Sequence, residues 1–180
     1  MPFAFSRRAA LACALALAPV AAFAHGPTRQ KVSEKIEIDA PAASVWAIVG
    51  KFGDLNWLPG VVKTEATGDN TPDQAKRTLT LATGGAIEES LTRYDSAGMS
   101  LSYKIDRVDV KDLPVNNYSS TITVTPAGEA KSTVEWKGAF YRGFLNNDPP
   151  PELSDEAALK SVTDVYRKGL ASLKAKVEGK

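Results

Sequence analysis

From Arg77 to Phe140 the chain places its inward residues at every second position, in row after row broken by turn residues. Arg77, Leu79 and Leu81 share one face. Ile87, Glu89 and Leu91 follow beyond Gly84-Gly85, and Leu101, Tyr103 and Ile105 beyond Ala97-Gly98. Tyr118, Ser120, Ile122 and Val124, then Val134, Trp136 and Phe140, complete the series. A period of two with short links predicts an antiparallel meander with one buried face. The pattern then changes. Leu159, Val162, Tyr166, Leu170, Leu173 and Val177 recur at steps of three and four, the stripe of one long amphipathic helix. Ser154 is its N-cap, and Asp155 and Glu156 suit the helix dipole. A sheet with one apolar face and a helix with one apolar stripe bury each other, so the chain is α+β.

Upstream, Val32, Ile36 and Ile38 mark a first strand and residues 61–67 a second, about seven strands in all. Between them Pro41 opens a short helix carrying Val45, Trp46, Ile48 and Val49, and Gly50 and Gly53 end it. Trp46 reads as core. Trp57-Leu58-Pro59 then forms an apolar tip in a Gly/Asn/Pro-rich segment, the composition of a lid or exposed contact. Phe144 and Leu145, in the Pro-rich link 143–153, invite the same reading. Gly169 falls on the stripe of the long helix, where Gly costs about 1 kcal/mol against Ala. It marks either a close approach or a tolerated residue.

Ser6-Arg7-Arg8, the apolar run Ala9 to Val20 and Ala22-Phe23-Ala24 have the order of a cleavable secretory signal. The run is too short for a permanent membrane span. Residues 1–24 are therefore expected to be removed on export to a periplasm, residues 25–31 to form a flexible N-terminus, and residues 32–180 to fold as one domain. Cleavage takes away Cys13, the one cysteine, and with it any disulfide, thiol nucleophile or thiolate metal site. His25 is the one histidine. Beside a new terminal amine it has the donors for copper, but with no second imidazole an exposed terminus is the simpler reading. A Ser-His-Asp triad has no histidine to draw on elsewhere. The formal net charge of +1 lacks the basic excess of a nucleic-acid footprint. No cofactor and no metal set is indicated.

Several short motifs, taken in order, resemble the START-related SRPBCC superfamily, which includes polyketide cyclase/dehydrase-like and lipid-transfer proteins. They are Ala40-Pro41, Val45-Trp46, Gly53-Asp54, Leu58-Pro59, Arg77-Thr78-Leu79, Ile87-Glu88-Glu89-Ser90-Leu91, Tyr94-Asp95, Leu113-Pro114-Val115 and Asn117-Tyr118, with Trp136 and Phe140 in the last strand. The likeness runs from about Lys31 to Val177. Within the superfamily the chain is most similar to the periplasmic MxaD-type proteins of methylotrophs. The resemblance implies a helix-grip fold: a curved antiparallel sheet around the long C-terminal helix, with two short helices after the first strand. It also implies a cavity between sheet and helix.

In such a cavity the polar residues in phase with the core become candidates. Arg77 and Glu89 flank the Gly84-Gly85 reversal, close enough for a diagonal cross-strand contact. Buried, they must pair or meet water or ligand. The pair serves either as a structural bridge at a sheet end or as the polar patch of an apolar pocket. Tyr103, Tyr118, Ser120, Trp136, Tyr166 and Trp57 complete the candidate set, with plain core packing as the alternative for the aromatic ones. No catalytic residue is assigned. Glu89 would act as a base only if burial raised its pKa, and Arg77 is expected to lower it.

Three functions are consistent with this reading. The first is a periplasmic module binding a small apolar or amphipathic ligand in a pocket of roughly 300 Å³ or more. The second is a cyclase or dehydratase using the same cavity. The third, implied by the MxaD-type likeness alone, is an accessory role in methanol oxidation beside methanol dehydrogenase or its cytochrome acceptor.

Overall fold

The computed structural model describes Met1 and residues 26–179. His25 and, apart from Met1, the expected signal segment lie outside the described residues. Among the described residues seven strands form one antiparallel sheet: β1 (Gln30–Ile38), β2 (Val61–Thr67), β3 (Lys76–Leu81), β4 (Ala86–Asp95), β5 (Ser100–Val108), β6 (Val115–Pro126) and β7 (Ser132–Arg142). From β2 to β7 the sheet is the expected meander. β1 pairs with β7, with Ile36 opposite Val134, so the first and last strands are neighbours. β1 begins at Gln30, inside the segment expected to be flexible.

One short helix, α1 (Ala42–Val49), follows β1 and buries Ala42, Val45 and Val49. The second short helix implied by the resemblance is not formed. Residues 51–60 pass through turns instead. Asp54 Oδ1 accepts the Asn56 N–H at 3.1 Å, an Asx turn that competes with helix, and Pro59 and Gly60 break any continuation.

The long helix, α2 (Asp155–Glu178), starts as expected: Ser154 Oγ accepts the Ala157 N–H at 3.2 Å. Its buried residues are Ala158, Val162, Tyr166, Gly169, Leu170 and Leu173. Leu159 and Val177, expected on the stripe, are half-buried. Arg167 meets Glu34 at 3.0 Å, and Lys174 Nζ donates to the Glu37 carbonyl at 2.7 Å, tying α2 to β1. The start of the helix is held by Arg142, which the periodicity did not single out. Its guanidinium is buried and donates to Phe144 O, Asn146 O and Asp155 Oδ2 at 2.7, 2.9 and 3.1 Å, so it organises the Pro-rich link.

Register breaks between Glu88 and Glu89, Leu91 and Arg93, and Asn116 and Ser119 bend β4 and β6. The bent sheet wraps α2 in a helix-grip arrangement. Val45, Val124, Val134, Leu170 and Leu173 belong to the buried apolar core. Elsewhere sheet and helix leave a cavity between them.

Candidate functional site

The floor of the site comes from the β3–β4 hairpin. Register sets Arg77 directly opposite Glu89, closer than the diagonal expected from sequence. Arg77 Nε lies 2.5 Å from Glu89 Oε2, and Nη1 donates to the Phe52 carbonyl at 2.8 Å. The guanidinium carbon sits 4.3 Å from the centre of the Phe52 ring and 4.9 Å from that of Tyr103. The pair is sealed, with side-chain exposures of 2% and 5%. A partner, a carbonyl and two aromatic faces offset the burial of the pair, while Arg77 Nη2 is left buried without a hydrogen-bond partner.

Burial pushes the Glu89 carboxyl above its ordinary 4.5, and Arg77, by charge and by hydrogen bond, pulls it only part of the way back. Arg77 does lower it, as expected, but loss of hydration outweighs that one neighbouring charge and the net shift is upward. The sign of the pH effect follows. A carboxyl with a raised folded pKa contributes its stability below the unfolded value and loses it as pH rises through the folded one. Urea unfolding of wild type and Glu89→Gln should show the wild-type advantage shrinking as pH climbs above 4.5. A difference that is flat with pH would show that burial is not the dominant cause.

Beside the pair lies a network of hydroxyls. Tyr118 and Tyr166 share a hydrogen bond of 2.6 Å, and Tyr166 reaches Ser120 Oγ at 3.1 Å. Ser120 donates to the Lys137 carbonyl at 2.7 Å and accepts from Trp136 Nε1 at 2.8 Å. Trp136 Nε1 also faces the Tyr103 hydroxyl at 3.1 Å. With Ser120 committed to Lys137, the protons run from Tyr118 to Tyr166 to Ser120, and Tyr103 keeps its own proton to give. Burial raises the pKa of Tyr103 to about 12 and moves Tyr118 and Tyr166 upward as well. All three are neutral donors at ordinary pH.

Two glycines allow this packing. A Cβ on Gly138 would lie 2.0 Å from the Tyr166 hydroxyl. On Gly169 it would lie 2.7 Å from Leu58 Cδ1 and 2.8 Å from Trp136 Cζ3. Gly169 therefore marks a close approach, and Gly138, which sequence reasoning passed over, is the inward position of β7 that Tyr166 fills. Its signal was available: a glycine in phase between Trp136 and Phe140.

The gap between sheet and helix is a cavity of about 210 Å³. Glu89, Tyr103, Tyr118 and Trp136 line it. Leu79, Leu81, Ile87, Ile105 and Val165 supply the apolar wall. Arg77 is not in the wall; it stands behind Glu89. Ser120 and Tyr166 stand behind Tyr118 and Trp136. Trp57, expected on an exposed tip, is 3% exposed and meets Trp136 edge-on with ring centres 5.7 Å apart. The lid reading fails there because Gly169 lets the 57–58 segment sink onto α2. Leu145 is the exposed residue of its pair, and Phe144 is half-buried. The mouth is formed by Pro59, Gly60, Ala82 and Thr83, with Thr83 Oγ1 bonded to Asp112 Oδ1 at 3.0 Å.

The cavity is smaller than the roughly 300 Å³ expected of a ligand pocket. A larger hollow of about 610 Å³ lies on the other face of the sheet, among Lys31, Ser33, Ser102, Ser119, Thr121 and Lys137. That hollow is walled by solvent-facing hydroxyls and lysine stems. The interior one combines an apolar wall with a few convergent polar groups, and it is the better binding site on chemistry. Among the described residues no cluster of His, Cys, Asp and Glu has metal-binding geometry, and no helix is long and apolar enough to cross a membrane.

The fold is shared with solved structures. The protein XoxI from Bacillus cereus is 29% identical, covering 82% of this chain and 95% of its own, with a TM-score of 0.69. A protein from Nitrosospira multiformis is 24% identical, covering 82% and 96%, with a TM-score of 0.66. Norcoclaurine synthase from Thalictrum flavum is 17% identical, covering 86% and 89%, with a TM-score of 0.64, a likeness of fold alone. No curated protein matches the sequence. The model of one family matches residues 29–178, so the chain belongs to the polyketide cyclase/dehydrase and lipid transport family.

Proposed function

We propose that this protein binds a small apolar or amphipathic molecule between sheet and helix. The observation that carries the reading is the interior cavity itself: about 210 Å³, apolar on most sides, with Glu89, Tyr103 and Tyr118 in its wall. Its volume sets the scale of the ligand. An engineered apolar cavity of about 150 Å³ holds benzene, so a single ring or a short chain fits here and a long lipid does not. The family match supports a cavity-based function of this kind.

The signal-like pattern of residues 1–24 supports export, and we place the ligand encounter in a periplasm on that basis. An accessory role beside methanol dehydrogenase or its cytochrome acceptor rests on the MxaD-type resemblance alone. A second reading, a cyclase or dehydratase, is favoured by the position of Glu89 in the cavity wall, where burial shifts its carboxyl upward, the direction that proton transfer requires.

The test is protein NMR of the mature chain titrated with toluene. Binding should shift the signals of Leu79, Ile87, Ile105 and Val165 while leaving the outer-face Ser102 and Thr121 unmoved. No shift at saturating toluene would sink the binding reading. Shifts confined to Ser102, Ser119 and Thr121 would move the site to the outer hollow.

A further inference from the structure

Resting on the binding reading above, we propose that the ligand is a neutral, hydroxyl-bearing molecule of single-ring size, and that the cavity discriminates against carboxylates and amines. The cavity wall contains Glu89 and Asp112 but no Lys, Arg or His. Arg77, the nearest cation, gives Nε to Glu89 Oε2 and Nη1 to the Phe52 carbonyl; its Nη2 is buried without a partner, but the residue stands behind Glu89 and outside the wall. A ligand carboxylate would therefore be buried beside a carboxylate with no cation to meet it.

An ammonium group fares little better. Arg77 and Glu89 already neutralise each other. A ligand cation would add a net charge to a dry site, where Glu89, the one buried carboxylate of the wall, already shares its charge with Arg77.

The hydrogen-bonding vacancies are more specific. Glu89 Oε2 is held by Arg77, while Oε1 takes no hydrogen bond from the described residues and has a lone pair to offer. Glu89 is 5% exposed and in the cavity wall. Tyr103, in the same wall and 2% exposed, accepts from Trp136 and still has its own proton to give. One acceptor and one donor in the same wall are the complement of a hydroxyl, which donates once and accepts at the same oxygen. A ketone uses only Tyr103, an ammonium only Glu89, and a hydrocarbon neither.

The experiment compares four probes of one ring each: benzyl alcohol, toluene, benzoate and benzylammonium, by NMR titration of the mature protein at pH 7. Benzyl alcohol is expected to bind most tightly, about tenfold above toluene, since a site built to hydrogen-bond a hydroxyl penalises the analogue lacking it. Benzoate and benzylammonium are expected to bind at least about a hundredfold more weakly than benzyl alcohol, benzoate because it buries an unpaired charge and benzylammonium because it adds a net charge beside a carboxylate that Arg77 already neutralises. Tyr103→Phe should invert the first order, making toluene the tighter ligand. Toluene binding more tightly than benzyl alcohol in the wild type would overturn the inference and leave the binding reading intact. So would benzoate or benzylammonium in first place. If none of the four binds, the cavity reading falls and this inference falls with it.

Discussion

Arg77→Met is expected to destabilise the protein by about 3–5 kcal/mol at pH 7, the cost of leaving one member of a buried ion pair without the other. The geometry explains why the loss is large. Glu89 is 5% exposed and has no second cation within reach among the described residues. The methionine keeps the stem's contact with Phe52 and Tyr103 but gives up the bond to the Phe52 carbonyl and both ring–guanidinium contacts. The turn at Phe52 then keeps only its N–H bond to Asn70 Oδ1 and loses its tie to β3. A double substitution separates these effects. Arg77→Met with Glu89→Leu removes both charges together, and replacing a buried pair by apolar residues is often close to neutral. The double variant should recover most of the loss, in urea unfolding read by tryptophan fluorescence. A single-variant loss under about 1 kcal/mol, the size typical of an exposed pair, would mean that the bridge is solvated and that Glu89 does not belong to a dry interior.

The second large effect is expected at Gly138. Ala there sets a methyl 2.0 Å from the Tyr166 hydroxyl, which cannot simply swing away. Its ring is stacked on Trp136 with centres 4.4 Å apart, and its oxygen bonds Tyr118 and Ser120. Overpacking of this kind costs about 1–3 kcal/mol, and the loss of the Tyr166 bonds adds to it. Helix α2 must lift or the tyrosine must leave its place, and either movement alters the wall that Trp136 and Tyr118 present to the cavity. Tyr166→Phe removes the clashing oxygen, although the ring carbon that bore it remains 3.1 Å from the new methyl. The pair Gly138→Ala/Tyr166→Phe should therefore be more stable than the sum of the two single losses. Strict additivity would show that the two side chains do not meet.

These two sites differ in how far they could be read from the chain. Arg77 and Glu89 declared themselves, since charges in phase with Leu79 and Leu91 contradict a buried row unless they pair. Their pairing followed from alternation and one reversal, both local properties. Gly138 carries no such contradiction. A glycine in a strand reads as a weak position until the residue that fills its space is known, and Tyr166 lies 28 residues further on in another element. Arg142 was hidden for the same reason: its partners are carbonyls of an irregular link, which no periodicity marks. Trp57 misled because Gly, Asn and Pro around it describe the backbone and say nothing of what the indole meets.

Alternation and helical spacing, both set by backbone geometry and the drive to bury apolar side chains, determined the strands, the long helix and which residues face inward. Whether those inward faces close on each other was left to tertiary structure. The separation depends on where bulky groups from distant segments touch first: Trp136 against Gly169, Tyr166 against Gly138. Those contacts leave a space of about 210 Å³ with Glu89 and Tyr103 in its wall and Arg77 behind it. Contact between side chains far apart along the chain is a property of assembled layers, and no local pattern encodes it.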